Sequence, residues 1–165
     1  MAVKTGKVTG RREVHYDSYQ DLLNDAERLA GGEVRLLGNW SLGQILAHLS
    51  RGMEFAIDGI PYKAPWPIRT VVRLFMRRRI ITRPMSAGFT LPGRAADFLV
   101  PGPINTDEGL AMLRVAIQRL RDETERSPHA LLGEMSLDEW DSLHLRHSEL
   151  HMSFVVPVQA PARAP

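Results

Sequence analysis

Residues 40–56 read WSLGQILAHLSRGMEFA, and this stretch predicts the fold more clearly than any other part of the chain. Ser41 followed three residues later by Gln44 is a capping box, a signal that begins a helix. Apolar residues then recur at spacings of three and four, which places them on one helical face. They are Leu42, Ile45, Leu46, Leu49, Met53 and Ala56. The stretch therefore predicts an amphipathic helix that ends near Asp58–Gly59, ahead of Pro61.

Three further segments carry the same two signals, a cap and a 3.6-residue apolar period. They predict a first helix from Asp17 or Ser18 to about Ala30, a third from Thr106 to Ser127–Pro128, and a fourth that opens with the capping box of Ser136 and Glu139 and ends at Pro157. No segment alternates between apolar and polar residues as a convincing strand does. The sequence thus predicts an all-α four-helix bundle.

The segment between residues 59 and 105 is an irregular insert, because prolines interrupt it repeatedly. It predicts one extra helix, from Pro67 to about Ile81, with Pro67 in the first turn. A basic cluster lies on that helix, formed by Arg69, Arg73, Arg77, Arg78 and Arg79. Residues 83–105 are predicted to form a long loop between helices.

Length and composition exclude several classes of protein. The chain has 165 residues, the size of one domain, and no cysteine, which excludes disulfides, thiolate metal sites and cysteine nucleophiles. No apolar run reaches the ~18–20 residues of a membrane-spanning helix, and the polar first residues do not resemble a secretory signal. The formal net charge of +2 gives no large positive field. We therefore expect a cytoplasmic protein with no nucleic-acid partner and no membrane partner.

Three of the six histidines, His144, His147 and His151, lie within eight residues on the predicted fourth helix. His147 and His151 differ by about 40° of rotation and ~6 Å of rise, so both imidazoles can reach one ion. His144 and His147 could pair instead, and the helix alone does not choose between the two pairs. His144 and His151 are ~10.5 Å apart along the axis, too far to share an ion.

His48 offers a third nitrogen, because it lies at the edge of the apolar face of the second helix. A divalent ion is one interpretation, since unpaired imidazoles are costly to bury, and hydrogen-bonded core histidines are the alternative. Three nitrogens suit zinc, nickel or ferrous iron, and they leave coordination positions open for water or substrate, as in catalytic sites. His15 and His129 are interpreted as solvated.

Two segments resemble the signatures of the DinB-like superfamily. Residues 40–49 match its Trp-Ser-x-x-Gln-x-x-x-His-Leu pattern, and residues 139–151 resemble its late His-x-x-x-His helix, in a branch known only as a domain of unknown function. The resemblance implies one bundle domain over residues 12–156, with flexible tails at 1–11 and 157–165, and a homodimer. It also implies a metal site formed by His48, His147 and His151, with His144 as a neighbour.

The same resemblance implies a metal-dependent transferase that uses a low-molecular-weight thiol such as mycothiol, bacillithiol or glutathione. The metal would bind the thiol as thiolate, a nucleophile at neutral pH. The alternative is a non-enzymatic module that binds a metal or small-molecule ligand in a stress response. A third hypothesis is that the helix from Pro67 to Ile81 binds an anionic membrane or nucleic acid. No catalytic residue is assigned; Arg51 could pair a substrate carboxylate, although a solvated arginine is the simpler interpretation.

The loop at residues 83–105 is expected to lie over the metal end of the bundle and to form part of a pocket. It is too long for a simple connection, and it carries apolar residues that are costly to leave in water. These are Met85, Phe89, Leu91, Phe98 and Leu99. The alternative is that the loop packs outside the bundle or forms a dimer interface.

Overall fold

The computed structural model describes residues 2–88 and 98–158. Its long helices are α1 (Tyr19–Ala30), α2 (Leu42–Asp58), α5 (Thr106–Asp122) and α6 (Leu137–Met152). Between α2 and α5 lie two short helices, α3 (Trp66–Val71) and α4 (Arg77–Thr82), which a π-helical stretch at Val72–Met76 joins. The strands β1 (Val34–Leu36) and β2 (Val155–Pro157) pair antiparallel. The all-α prediction is confirmed, and the two short strands are an addition to it.

Both predicted capping boxes are present and begin the two helices that carry the histidines. Ser41 Oγ accepts a hydrogen bond from the Gln44 amide at 3.1 Å, and Gln44 Oε1 accepts one from the Ser41 amide at 3.0 Å. Ser136 and Glu139 make the same reciprocal pair at the start of α6. The cap of α5 is Asn105 rather than Thr106, because the Asn105 side chain accepts from the Glu108 amide.

Two helices end earlier than the sequence predicts. The fourth helix was expected to reach Pro157 but α6 ends at Met152, and β2 follows because Val155 is fully buried when it pairs with Leu36 of β1. The third helix was expected to reach Ser127, and α5 ends at Asp122. The Arg126 guanidinium donates to the carbonyls of Leu120 and Glu123, and it thereby satisfies acceptors that a longer helix would have used.

Parts of both predicted tails, and Arg12 next to the first of them, contact the bundle. The Arg12 guanidinium pairs with Asp25 at 2.7 Å and donates to the carbonyls of Met152 and Val155. Farther toward the N-terminus, the backbone of Val3 exchanges two hydrogen bonds with the Asn39 side chain. At the other end, the Val158 amide donates to Glu33 O. These contacts tie the chain ends to α1, β1 and the end of α6.

The four long helices pack around one apolar core, and α2 crosses α5 with backbone against backbone. Gly43 of α2 faces Gly109 of α5, and a Cβ placed on Gly109 would lie 2.5 Å from Gly43 O and 2.9 Å from Gly43 Cα. Only glycine permits that approach. The crossing therefore fixes the distance between the helix that carries His48 and its neighbour.

The insert forms a helical segment from Trp66 to Thr82, which confirms the helix predicted at Pro67–Ile81. It packs on α6 through a second, smaller core that comprises Ala56, Ile81, Leu132, Trp140 and Leu143, with Val72, Ile80, Met85 and Met135 at its edge. Within the described residues, no helix is long and apolar enough to cross a membrane.

Candidate metal centre

Helix α2 carries His48 about two turns from its capping box, on the side that faces the bundle interior. The imidazole is 3% exposed. Its Nδ1 lies 2.8 Å from the backbone carbonyl of Leu99, which can only accept a hydrogen bond. Nδ1 therefore carries the proton, and the Nε2 lone pair of the neutral ring points away from Leu99. The hydrogen bond fixes both the tautomer and the ring orientation, as partners of metal-binding histidines do.

Helix α6 brings His147 and His151 to the same point. Nε2 of His147 lies 3.3 Å from Nε2 of His48 and 3.0 Å from Nε2 of His151. The ligand atoms of the three residues all lie within 4.8 Å of one another. The structure thus selects the His147–His151 pair over the pair of His144 and His147, which the sequence left open. The predicted convergence of His48, His147 and His151 is confirmed. Metal binding by these residues remains a prediction.

The nitrogen spacing fits one ion. Two nitrogens at 2.0–2.1 Å from a tetrahedral zinc are separated by about 3.3 Å, close to the two short distances in this cluster. Burial lowers the pKa of His48 and of His147 and lowers that of His151 to about 3. All three rings are therefore neutral at pH 7, the protonation state that binds metal. With the His48 proton held at Nδ1, the facing lone pairs repel unless a cation or a proton lies between them.

Trp40 forms one wall of the cluster. Its ring stacks on His151 with 5.5 Å between ring centroids and 10° between planes, and it lies 4.8 Å from the His48 ring. The sequence placed Trp40 only as the residue before the capping box. A residue before an N-cap points back along the first turns of its helix, and this brings the Trp40 ring against His48.

His144 and His129 lie outside the cluster, and both rings pack against Trp140. The His144 ring stacks on Trp140 with centroids 5.3 Å apart, and among the described residues its buried Nε2 has no hydrogen-bond partner. Burial lowers its pKa to about 3. The prediction that His129 is solvated is wrong: its Nδ1 accepts from the amides of Leu131 and Leu132, and burial lowers its pKa to about 4.

His15 is exposed and Arg51 partly exposed, in agreement with the interpretation of both as solvated. His15 is exposed and bonds to Asp17. Arg51 is partly exposed, one turn from His48, and its positive charge adds to burial in lowering the pKa of His48. No acidic ligand joins the three histidines in the described part of the chain. The cluster therefore offers three nitrogen ligands and leaves further coordination positions free.

The predicted loop reaches the cluster through Leu99, whose carbonyl is the partner of His48. The side chain of Gln44 holds the same segment in place, since its Nε2 lies 3.3 Å from the carbonyl oxygen of Pro101. Met85 instead packs at the edge of the second core. Phe89 and Leu91 lie outside the described residues, so the pocket expected from the loop stays a prediction.

Comparison with known proteins gives one match. The model of a family described as "Protein of unknown function (DUF1569)" matches residues 8–158, nearly the whole chain. The chain therefore belongs to this family, and the matched region includes all three histidines of the cluster. No curated protein and no solved structure matches the chain.

Proposed function

We propose that this DUF1569 protein is a metal-dependent enzyme whose ion is bound by His48, His147 and His151. The observation that supports it most strongly is the convergence of three Nε2 atoms, with one ring held in the required tautomer by Leu99 O. Three neutral imidazoles without a carboxylate suit zinc, nickel or ferrous iron. A structural zinc site would have four protein ligands, whereas the residues that the structure describes supply three.

The surroundings of the cluster favour a site that admits a ligand. His147 and His151 are partly exposed while His48 is buried, so one side of the cluster is accessible from solvent. Trp40 holds His151 by stacking, and Leu99 holds His48 by its carbonyl. Both contacts keep the rings oriented when the ligand position exchanges its occupant. A small molecule can therefore enter without rearrangement of the protein ligands.

The two histidine segments resemble those of the DinB-like superfamily. By this resemblance, the protein is a cytoplasmic homodimer that transfers a low-molecular-weight thiol. A bound divalent ion would supply a thiolate at neutral pH. The role of the chain is to hold three neutral nitrogens at fixed spacing. No fourth ligand joins them within residues 2–88 and 98–158, which leaves room for the thiol sulfur.

Metal content tests the first step. Untagged protein dialysed against Zn²⁺, Ni²⁺ or Fe²⁺ and measured by elemental analysis should hold about one ion per chain, and His151→Ala should lower the affinity at least tenfold. His15→Ala is the matched control, because His15 is exposed and lies outside the cluster. At a metal concentration 100 times Kd, the ion should also stabilise the fold by about 2.7 kcal/mol. Equal metal content in parent and His151→Ala proteins would contradict the site.

Turnover tests the second step. The metal-loaded protein is assayed with mycothiol, bacillithiol and glutathione against a panel of electrophiles, with the His48→Ala protein as the control. We expect thiol consumption that requires the metal and is lost in the variant. A protein that binds one ion at these histidines and shows no turnover with any pair would be a binding module, the alternative interpretation of the sequence.

A further inference from the structure

The helical segment from Trp66 to Thr82, called here the surface helix, presents large apolar side chains to solvent. Trp66 is 75% exposed, Leu74 71% and Phe75 79%. Ile68, Val71 and Met76 are exposed as well, so six large apolar side chains within eleven residues face solvent. Single exposed apolar residues are ordinary, but six on one short segment mark an interaction surface.

Contacts made mainly by its C-terminal part, α4, fix the surface helix to the bundle. Ile81 is buried in the second core, with Val72 and Ile80 at its edge. The Arg77 guanidinium pairs with Glu139 at 2.7 Å and donates to the Leu132 carbonyl. The surface helix is therefore held to the bundle mainly through its C-terminal part, α4, while the apolar side chains between Trp66 and Met76 stay exposed.

The chain segment that contains the surface helix carries charge of one sign. Residues 59–96 contain no Asp or Glu, and their basic residues are Lys63, Arg69, Arg73, Arg77, Arg78, Arg79, Arg83 and Arg94. Within residues 2–88 and 98–158, the only ion pair made by the surface helix is the one between Arg77 and Glu139. Arg78 and Arg79 are exposed at its C-terminal end, next to Phe75. Any partner of this surface must therefore accept both apolar side chains and several positive charges.

We propose that the surface helix binds the surface of an anionic lipid membrane, lying in the plane of the headgroups. Trp66, Leu74 and Phe75 would enter the boundary between headgroups and acyl chains, and the arginines would extend to the lipid phosphates. The segment is too short to span a bilayer, which leaves the in-plane arrangement. The proposal develops the third hypothesis from the sequence, that this helix binds an anionic membrane or nucleic acid. It departs from the expectation of no membrane partner, because the net charge of +2 averages out the local excess of basic residues.

Other occupants fit the surface less well. A second copy of the chain in a two-fold dimer would bring the same arginines face to face, and such like charges repel. Single-stranded nucleic acid would stack on Trp66 and Phe75 but would leave the aliphatic Ile68, Val71 and Leu74 without a partner. An anionic bilayer accepts aromatic, aliphatic and basic side chains together. The proposal is independent of the metal site, since none of the three histidines lies on this helix.

Vesicle flotation of the full chain tests the proposal. We expect the protein to float with vesicles of phosphatidylcholine and phosphatidylserine at low salt, and to stay unbound with phosphatidylcholine alone. The Leu74→Asp/Phe75→Asp protein should lose binding, and Val115→Asp is the matched control, because Val115 is an exposed apolar residue of α5. Arg78→Ala/Arg79→Ala should weaken partitioning by roughly 25-fold, from about fivefold per arginine. Arg35→Ala/Arg121→Ala, at exposed positions elsewhere, should leave it unchanged.

Circular dichroism and thermal unfolding confirm that each variant is folded, so that lost binding reports the surface alone. Three results would overturn the proposal. One is the absence of binding to anionic vesicles by the folded parent protein. Another is equal binding by the Leu74→Asp/Phe75→Asp protein. The third is a dimer, seen by light scattering, that the same substitutions convert to monomer while vesicles bind neither form; the surface would then join two copies of the chain.

Discussion

Replacing Gly109 by alanine tests whether the backbone approach of α2 and α5 holds the bundle together. The added Cβ would lie 2.5 Å from Gly43 O and 2.9 Å from Gly43 Cα, whereas ordinary contacts begin at 3.4 Å. The helices must therefore separate by nearly 1 Å at this point. Both obstructing atoms belong to the backbone, so no side-chain rotation relieves the contact.

The expected loss follows from two opposed effects. Alanine in place of glycine inside a helix gains about 1 kcal/mol from its lower conformational entropy. Overpacking of a tight contact costs about 1–3 kcal/mol, and a contact between backbones lies at or above the upper end of that range. We expect Gly109→Ala to lower the free energy of unfolding by about 2 kcal/mol and the melting temperature by roughly 4–8 °C.

Gly52 supplies the matched control. It also lies within a long helix, α2, but a Cβ added there meets no atom within 4 Å. Gly52→Ala should therefore raise the free energy of unfolding by about 0.5–1 kcal/mol. Denaturant unfolding of the three metal-free proteins measures both changes. If Gly109→Ala is as stable as Gly52→Ala, the crossing does not constrain the two helices and the reasoning fails.

Two further predictions concern buried polar groups. Burial lowers the pKa of His144 in the folded chain to about 3, against 6.5 for an ordinary histidine. Between these values the unfolded chain takes up a proton that the folded chain does not. The stability present above pH 6.5 is therefore lost as the pH falls toward 3. In metal-free protein, His144→Leu should reduce the slope of unfolding free energy against pH by up to about 1.4 kcal/mol per pH unit in this window; an unchanged slope would show that His144 is solvated. Arg12→Met should destabilise the fold by about 2 kcal/mol, since the buried Asp25 keeps only the more exposed Arg28 and the Tyr16 hydroxyl as partners. The companion Asp25→Asn in the same protein should recover part of this loss in urea unfolding, and no recovery would mean that Arg12 acts through its carbonyl contacts alone.

The helices and the three converging histidines could be predicted from the sequence because both depend on local rules. Caps such as Ser41 and Ser136 act within three residues, and the spacing of His147 and His151 is a property of a single helix turn. The depth of His48 in its helix then places it opposite that pair. The helical period and facing helices bring His48 to His147, but they leave His144 and His151 as alternatives. The set with His151 came from the resemblance to the DinB-like superfamily.

Features that depend on contacts between distant parts of the chain could not be predicted in this way. The carbonyl of Leu99 is a backbone group 51 residues from His48. Every residue has such a group, so the sequence does not indicate which one bonds to His48. The early end of α6 depends on β1, a strand of three residues too short to show a period. His129 follows a Ser-Pro pair typical of an exposed loop, yet the chain folds it against Trp140, whose ring lies 5.3 Å away.

The separation of the ligands along the chain has a consequence for folding. His48 and His147 are 99 residues apart, although their nitrogens lie 3.3 Å apart in the fold. In the unfolded chain only His147 and His151 remain near each other, so an ion held by all three would act as a cross-link that exists in the folded state alone. Closing a loop of that length restricts an unfolded chain by roughly 4–5 kcal/mol when the link is covalent. An ion that joins α2 to α6 would thus make the lifetime of the folded chain depend on the supply of metal.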